Sequence, residues 1–241
     1  MRKLSLLVAT SVIALVVAAS AWAVNADQGL SVSVTPSKAG TKAKPKSVKL
    51  KITTTTTPKD SAQFATTQAV LYFDKNLKLG GSKFKSCTVA MIQADETTCP
   101  KGSKVGGGTA KAQAGTGGAV KVAPILVTAF NGPKGKTLLL HVIYTKLGID
   151  EVLNATIGSA KGQYGTKLTV PINAHLQQPA TGLFATLTEF ITSVSGKATD
   201  KAKTPYVGLT GCSGGALKFK GVFTYTDSTS KTATATAKCS K

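Results

Sequence analysis

The sequence predicts an all-β protein, an antiparallel β-sandwich of Ig-like or jelly-roll-like type, with about ten strands behind an N-terminal signal helix. Three observations predict it. Apolar residues alternate with Lys and Thr at a period of two, which puts one face of a strand in a core and the other in water. The alternating runs are short and punctuated by Gly- and Pro-bearing turns, as in sandwiches and barrels. No persuasive helix follows the N-terminal segment, and no repeat of solenoid period is present.

Arg2 and Lys3 form a short basic n-region, Leu4 to Ala19 an apolar h-region, and Ala21-Trp22-Ala23 an A-x-A site. This is the pattern of a secretory signal peptide cleaved after Ala23. The apolar run, about 16 residues, is a little short for a membrane span. The expected localisation is therefore secreted, extracellular or in the cell envelope, with a bacterial style of signal and no span after cleavage. Cleavage also removes the only Trp and the only Arg, Trp22 and Arg2, and with Lys3 takes the net charge from +20 to +18.

Residues 24–47 read as a basic, loosely ordered arm in which "LSVSVTP" (30–36) alternates like a marginal edge strand. A single β domain is expected over 48–241. Val48, Leu50 and Ile52 alternate with Lys49 and Lys51, and the β-branched "TTTTT" run favours strand. "TTQAVLYFD" (66–74) is a continuous buried-type run. Val120–Phe130 and Thr137–Thr145 flank "NGPKG", a hairpin signal. Val152–Ile157 and Lys167–Ile172 flank "GSAKGQYG". "LFATLTEFITSV" (183–194) fits a helical stripe through Leu183, Leu187, Phe190, Ile191 and Val194, but its threonines and its neighbours favour strand. At the C-terminus Phe219, Gly221, Phe223 and Tyr225 share one strand face, "TDSTSK" turns the chain, and Ala233, Ala235 and Ala237 share the next face.

Four cysteines, an even count in a secreted chain, predict two disulfides. Cys87–Cys99 and Cys212–Cys239 are favoured among the three possible pairings, because each closes a short local loop. Loop-closure entropy assigns them about 3 and about 3.5 kcal/mol. The spacings match no zinc pattern, and no metal or cofactor is expected.

"CPKGSKVGGGTAK" (99–111) is rich in Gly and Lys, yet it satisfies neither the phosphate-binding G-x-x-x-x-G-K-[ST] pattern nor G-x-G-x-x-G. It reads instead as a disulfide-pinned turn at Lys101-Gly102 feeding a strand whose glycines permit a bulge or close backbone approach. The preceding "TVAMIQADETT" reads as a loop between the two cysteines. The "C-x11-C-P-K-G-S-K-V-G-G-G-T-A" segment, with a later "C-S-G-G-A-L-K-F-K-G-V-F-T-Y" and a final Cys, resembles a group of secreted bacterial β-sandwich proteins. It spans about 87–110 and 206–239. The resemblance implies the fold and compartment and carries no activity, hence no functional residues.

An all-Lys cation set disfavours sequence-specific nucleic-acid reading, which leans on the planar Arg fork. Diffuse attraction to an anionic cell-wall polymer or membrane surface stays open, with Lys38, Lys42, Lys44, Lys46, Lys49 and Lys51 as the candidate contacts. His141, on the Leu139/Ile143 face of "TLLLHVIYT", reads as structural, and His175 as an exposed loop residue. Asp95-Glu96 and Asp150-Glu151 are the adjacent acid pairs a glycosidase could use; they read as solvated turn acids. No nucleophile elbow is present. The expected function is a non-enzymatic binding or structural role in the envelope or outside the cell, with an envelope protein or anionic polymer as partner. Lysine-mediated polyanion or membrane-surface binding is the alternative, and a secreted hydrolase the second.

Overall fold

Alternation becomes strand along most of the chain. The computed structural model describes residues 24–61 and 64–241; the expected signal peptide, 1–23, lies outside the described residues. The strands are β1 (Ala26–Thr35), β2 (Lys46–Ser47), β3 (Lys49–Pro58), β4 (Thr66–Asp74), β5 (Leu77–Leu79), β6 (Lys104–Ala114) and β7 (Val120–Asn131). They continue as β8 (Thr137–Tyr144), β9 (Ile149–Ser159), β10 (Tyr164–Pro171), β11 (Ala185–Val194), β12 (Val207–Leu209), β13 (Ala216–Tyr225) and β14 (Ser230–Lys238). Eleven of them form one sheet in the order β1-β3-β11-β6-β7-β8-β9-β10-β4-β13-β14, antiparallel at every step.

The sheet curls until its edge strands, β1 and β14, lie side by side. They run in the same direction, and among the described residues no strand ladder joins them. They are stitched at their ends. At one end Ala39 N–H donates to Ser240 O (2.8 Å) and Ser240 N–H to Ser37 O (3.1 Å). At the other, Val24 N donates to Asp227 Oδ2 (2.7 Å), and Tyr225 OH and Thr56 Oγ1 both donate to Gln28 Oε1 (2.8 Å each). The 24–47 segment therefore does not stand apart as an arm. Its edge strand is ten residues long and paired throughout with β3.

The inner face carries the core. Leu50 and Ile52 of β3, Leu140 and Val142 of β8, and Phe219 and Phe223 of β13 belong to one apolar cluster. A small second sheet, β2-β12-β5, seals the end of the barrel-like body at which β3 begins and β11 ends; Leu77, Tyr206, Val207 and Leu209 there are buried.

The two disulfides pair as the local loops predict, Cys87 with Cys99 and Cys212 with Cys239, with Cα separations of 5.2 and 5.7 Å. The second crosses the base of the β13–β14 hairpin, where Ala216 faces Lys238. The loop closed by the first is not irregular, as its sequence reading had it: it holds a helix, α1 (Val89–Asp95). Thr88 caps it, its Oγ1 accepting from Met91 N (3.2 Å), and Ala, Met, Ile and Gln are serviceable helix formers. At seven residues it is too short to show a stripe. Cys87 itself follows a 3-10 turn rather than ending a strand. The residue that anchors α1 is Ile92, packed with Phe130, Leu139 and Val152 on the outer face of β7, β8 and β9.

The glycines of "GGG" do serve close approach. A methyl on Gly106 or Gly108 would run into the carbonyl oxygens of Ser193 or Ile191 on β11, and one on Gly107 would lie 2.6 Å from Val127 O on β7. Gly102, at φ +91°, makes the turn before β6. The ambiguous 183–194 segment is strand β11.

Candidate functional site

Barrel diameter grows with strand number. Eight strands enclose a space that side chains fill or that takes one small ligand, whereas sixteen leave an aqueous channel. Eleven strands exceed what this chain's inner residues can fill, because one wall is nearly bare. The inward positions of β6 read Gly106, Gly108, Ala110, Ala112 and Ala114, set by their register against Val194, Thr192, Phe190, Leu187 and Ala185 of β11. No side chain there is larger than a methyl. The result is a cavity of about 140 Å³, walled by aliphatic and aromatic side chains such as Ile52, Val127, Leu140, Leu153, Val170 and Phe190. Lys and Thr cover the outside instead, as at Lys49, Lys51, Thr53 and Thr55 of β3, whose partners Leu50 and Ile52 point in. This polarity is the reverse of an outer-membrane barrel, which is apolar outside. No helix among the described residues is long and apolar enough to cross a membrane.

The two ends of the lumen differ. At the sealed end Tyr206 lies against Phe84 in an edge-on contact, ring centroids 5.1 Å apart. Burial pushes its phenol pKa upward, so the hydroxyl stays protonated. At the opposite end Leu147, in the turn between β8 and β9, lines the lumen yet is 45% exposed, and this marks the mouth. The β10–β11 connection folds over the mouth and carries a one-turn helix, α2 (Ala174–Gln177), with Leu176 and Pro179 on the lumen.

A polar latch holds that cover. Glu151 sits opposite Val142, on the inward face of β9. Its carboxylate accepts from Asn173 Nδ2 (2.8 Å) and lies 2.9 Å from His175 Nδ1. The neighbouring Asp150 points outward, 2.7 Å from His141 Nε2, while Glu96 from the disulfide loop lies 2.7 Å from His141 Nδ1. The acid pairs are thus split between opposite faces or partners and are not simply solvated turn acids. The strand's alternation separates Asp150 from Glu151. Asp95 accepts from Thr97 N, which holds its carboxyl below the ordinary value of 3.8, and Glu96 goes to His141. His141 is buried on the outer face of β8, away from the lumen, with both ring nitrogens against carboxylates. His175 is in a helical turn and half-exposed rather than free in a loop. Among the described residues no group of His, Cys, Asp and Glu could hold a metal.

The six candidate polyanion contacts, Lys38, Lys42, Lys44, Lys46, Lys49 and Lys51, are all exposed. They gather at the sealed end. Lys38 forms an isolated bridge with Ser240, Lys46 faces Leu209 in the small sheet, and Lys49 faces Thr35. Lys78, opposite Gly208 on the far side of β12, joins them. Asp27, Asp150, Glu151 and Asp227 lie toward the other end, where the mouth is.

Fold and lumen together define a disulfide-bonded antiparallel barrel-like protein with an apolar interior. The chain matches no family model, no curated protein sequence and no solved structure.

The lumen and its latch are the features that sequence reading missed. Their signal was present: a run of Gly and Ala at alternate positions from 106 to 114, and two histidines against four acids in adjacent pairs.

Proposed function

We propose that the protein is a secreted, non-enzymatic binding protein that holds a small apolar ligand inside the barrel. The observation that carries this reading is the lumen of about 140 Å³ with an apolar wall. A cavity of about 150 Å³ lined by Leu, Ile and Phe stays dry and takes up benzene, and binding sites are commonly apolar concavities in the mouths of barrels. The two disulfides suit an oxidising compartment, and the engagement of both His141 ring nitrogens by carboxylates counts against that residue as a hydrolase's base. The test is calorimetric titration of the oxidised protein, residues 24–241, with toluene, alongside an Ala110→Phe variant that fills the bare wall. Saturable binding that the variant loses while keeping its fold supports the reading. Equal heats from both proteins would sink it.

A second reading rests on the lysines: the sealed end attaches the protein to an anionic polymer of the envelope while the mouth faces away. Its support is the gathering of Lys38 to Lys51 with Lys78 at one end. Lysine without arginine suits diffuse attraction rather than bidentate recognition. Retention on purified cell-wall polymer, compared across a salt series with retention on an anionic resin, tests it. Retention on the polymer that outlasts the resin as salt rises supports a dedicated site, and loss from both together argues for surface character alone.

A further inference from the structure

Six polar side chains interrupt the apolar lumen wall, those of Gln28, Thr54, Thr56, Thr66, Thr192 and Tyr206, and the last two stand out. Thr192 and Tyr206 both line the lumen, at 6% and 1% exposure, and neither Thr192 Oγ1 nor Tyr206 OH has a hydrogen-bond partner among the described residues. Buried polar atoms are nearly always satisfied, and one left alone calls for an explanation. Both lie toward the sealed end. Thr192 faces Ile52 of β3 and Gly108 of β6, so no side chain from β6 stands opposite it. Tyr206 N–H donates to Gly196 O, just past the end of β11. Two other hydroxyls near the lumen, those of Thr56 and Tyr225, donate to Gln28.

We infer that the ligand is a small neutral amphiphile whose single accepting oxygen, of the ketone, ether or ester kind, is held at the sealed end by Tyr206 and Thr192, with its hydrocarbon part toward the mouth. This rests on the lumen being a ligand site. Three observations restrict the chemistry. The volume, close to that of a benzene-sized cavity, limits the ligand to roughly six to eight heavy atoms unless the cover moves. Both hydroxyls can donate, so the ligand need only accept. Among the described residues no lysine lines the lumen, so an ionised carboxylate or phosphate would be buried without a counter-charge.

The test is a cycle of two ligands and three proteins. Cyclohexanone and methylcyclohexane have nearly the same shape, and only the first has an acceptor. Each is titrated calorimetrically into the wild-type chain (residues 24–241, oxidised), Tyr206→Phe and Thr192→Val. Tyr206→Phe is expected to weaken cyclohexanone about tenfold, the scale of one buried hydrogen bond, and to leave methylcyclohexane unchanged or slightly tighter. Thr192→Val is expected to act in the same direction. Without ligand, Tyr206→Phe removes an unpaired buried hydroxyl, so its melting temperature is expected to rise. If both ligands bind and their affinity ratio is the same in all three proteins, the anchor is refuted while the lumen reading stands. If neither ligand binds, both fall. A drop in the melting temperature of ligand-free Tyr206→Phe would mean the hydroxyl already has a partner, such as a resident water, and would also overturn the inference.

Discussion

Leu139 and Leu140 are consecutive residues of β8 pointing opposite ways, and they separate solid core from lumen wall. Leu139 is fully buried against Ile92, Phe130 and Val152 beneath α1, whereas Leu140 faces the lumen. Truncating either to Ala removes about three carbons, or about 2.4 kcal/mol of transfer free energy at about 0.8 per methylene. A further penalty of about 24 cal/mol for each Å³ of void accompanies it. At Leu139 the void opens in close-packed surroundings, so the loss belongs near the top of the Leu→Ala range, about 4–5 kcal/mol. At Leu140 the space joins one already present and fewer contacts disappear, so about 3 kcal/mol is expected. Urea denaturation under non-reducing conditions reads both. Ligand-induced stabilisation, about 2.7 kcal/mol at a hundredfold excess over Kd, supplies the second readout: Leu140→Ala should accept a larger hydrocarbon such as naphthalene, and Leu139→Ala should not. Equal losses at the two positions, with no change in the ligand size accepted, would refute the assignment of Leu140 to a lumen wall.

Replacing the Cys212–Cys239 pair by Ala should cost about 3.5 kcal/mol and the Cys87–Cys99 pair about 3 kcal/mol, from loops of 27 and 12 residues, measured as denaturation midpoints. Glu151→Gln, or His175→Ala, loosens the cover at the mouth; about 1.4 kcal/mol of lost latch would speed ligand exchange about tenfold in NMR line-shape or stopped-flow measurements, with affinity changed less. Asp227 links stability to pH. Desolvation pushes its pKa up, but hydrogen bonds from the Thr229 hydroxyl and N–H and from Val24 N outweigh it, leaving it below 3.8. A depressed carboxylate contributes stability above its unfolded value, which is lost as pH falls through the folded one. The wild type should therefore lose stability faster than Asp227→Asn between about pH 5 and about pH 2, with the gap between them closing in acid. Cleavage after Ala23 would turn Val24 N into an ammonium 2.7 Å from that carboxylate and widen the gap at neutral pH.

Much of the strand content was legible because alternation and turn chemistry agree locally. "VKLKI" can bury one face only as a strand, "NGPKG" can only turn, and the C-terminal Ala/Thr alternation pairs with the Phe/Tyr face before it. Both disulfides followed from the same local reasoning. The helix α1 was not legible, because seven residues cannot display a stripe and its stability comes from Ile92 meeting three strands far away in sequence. The lumen was hidden for a different reason. A row of small residues says that a wall is thin, but whether the space beyond is filled depends on how many strands close the circle, and that number is a property of the whole chain. The split of Asp150 from Glu151 was within reach, since neighbours on a strand face opposite ways.

The closure itself has an arithmetic. When every step round a sheet is antiparallel, directions alternate, and an odd count returns the last strand pointing the same way as the first. Eleven is odd, so β1 and β14 meet as parallel neighbours, confirmed by the parallel bridge of Lys38 with Ser240. Outer-membrane barrels of single bacterial chains escape this with even counts and close with a ladder like any other. Here the girth is fastened like a cuff, by buttons at the two rims, with the small side chains of Ala233 and Ala237 along the opening between them. A cuff can be let out without tearing the cloth. No ladder among the described residues crosses that line, so parting β1 from β14 would widen the bore with all ten ladders intact, which no other line along the sheet allows.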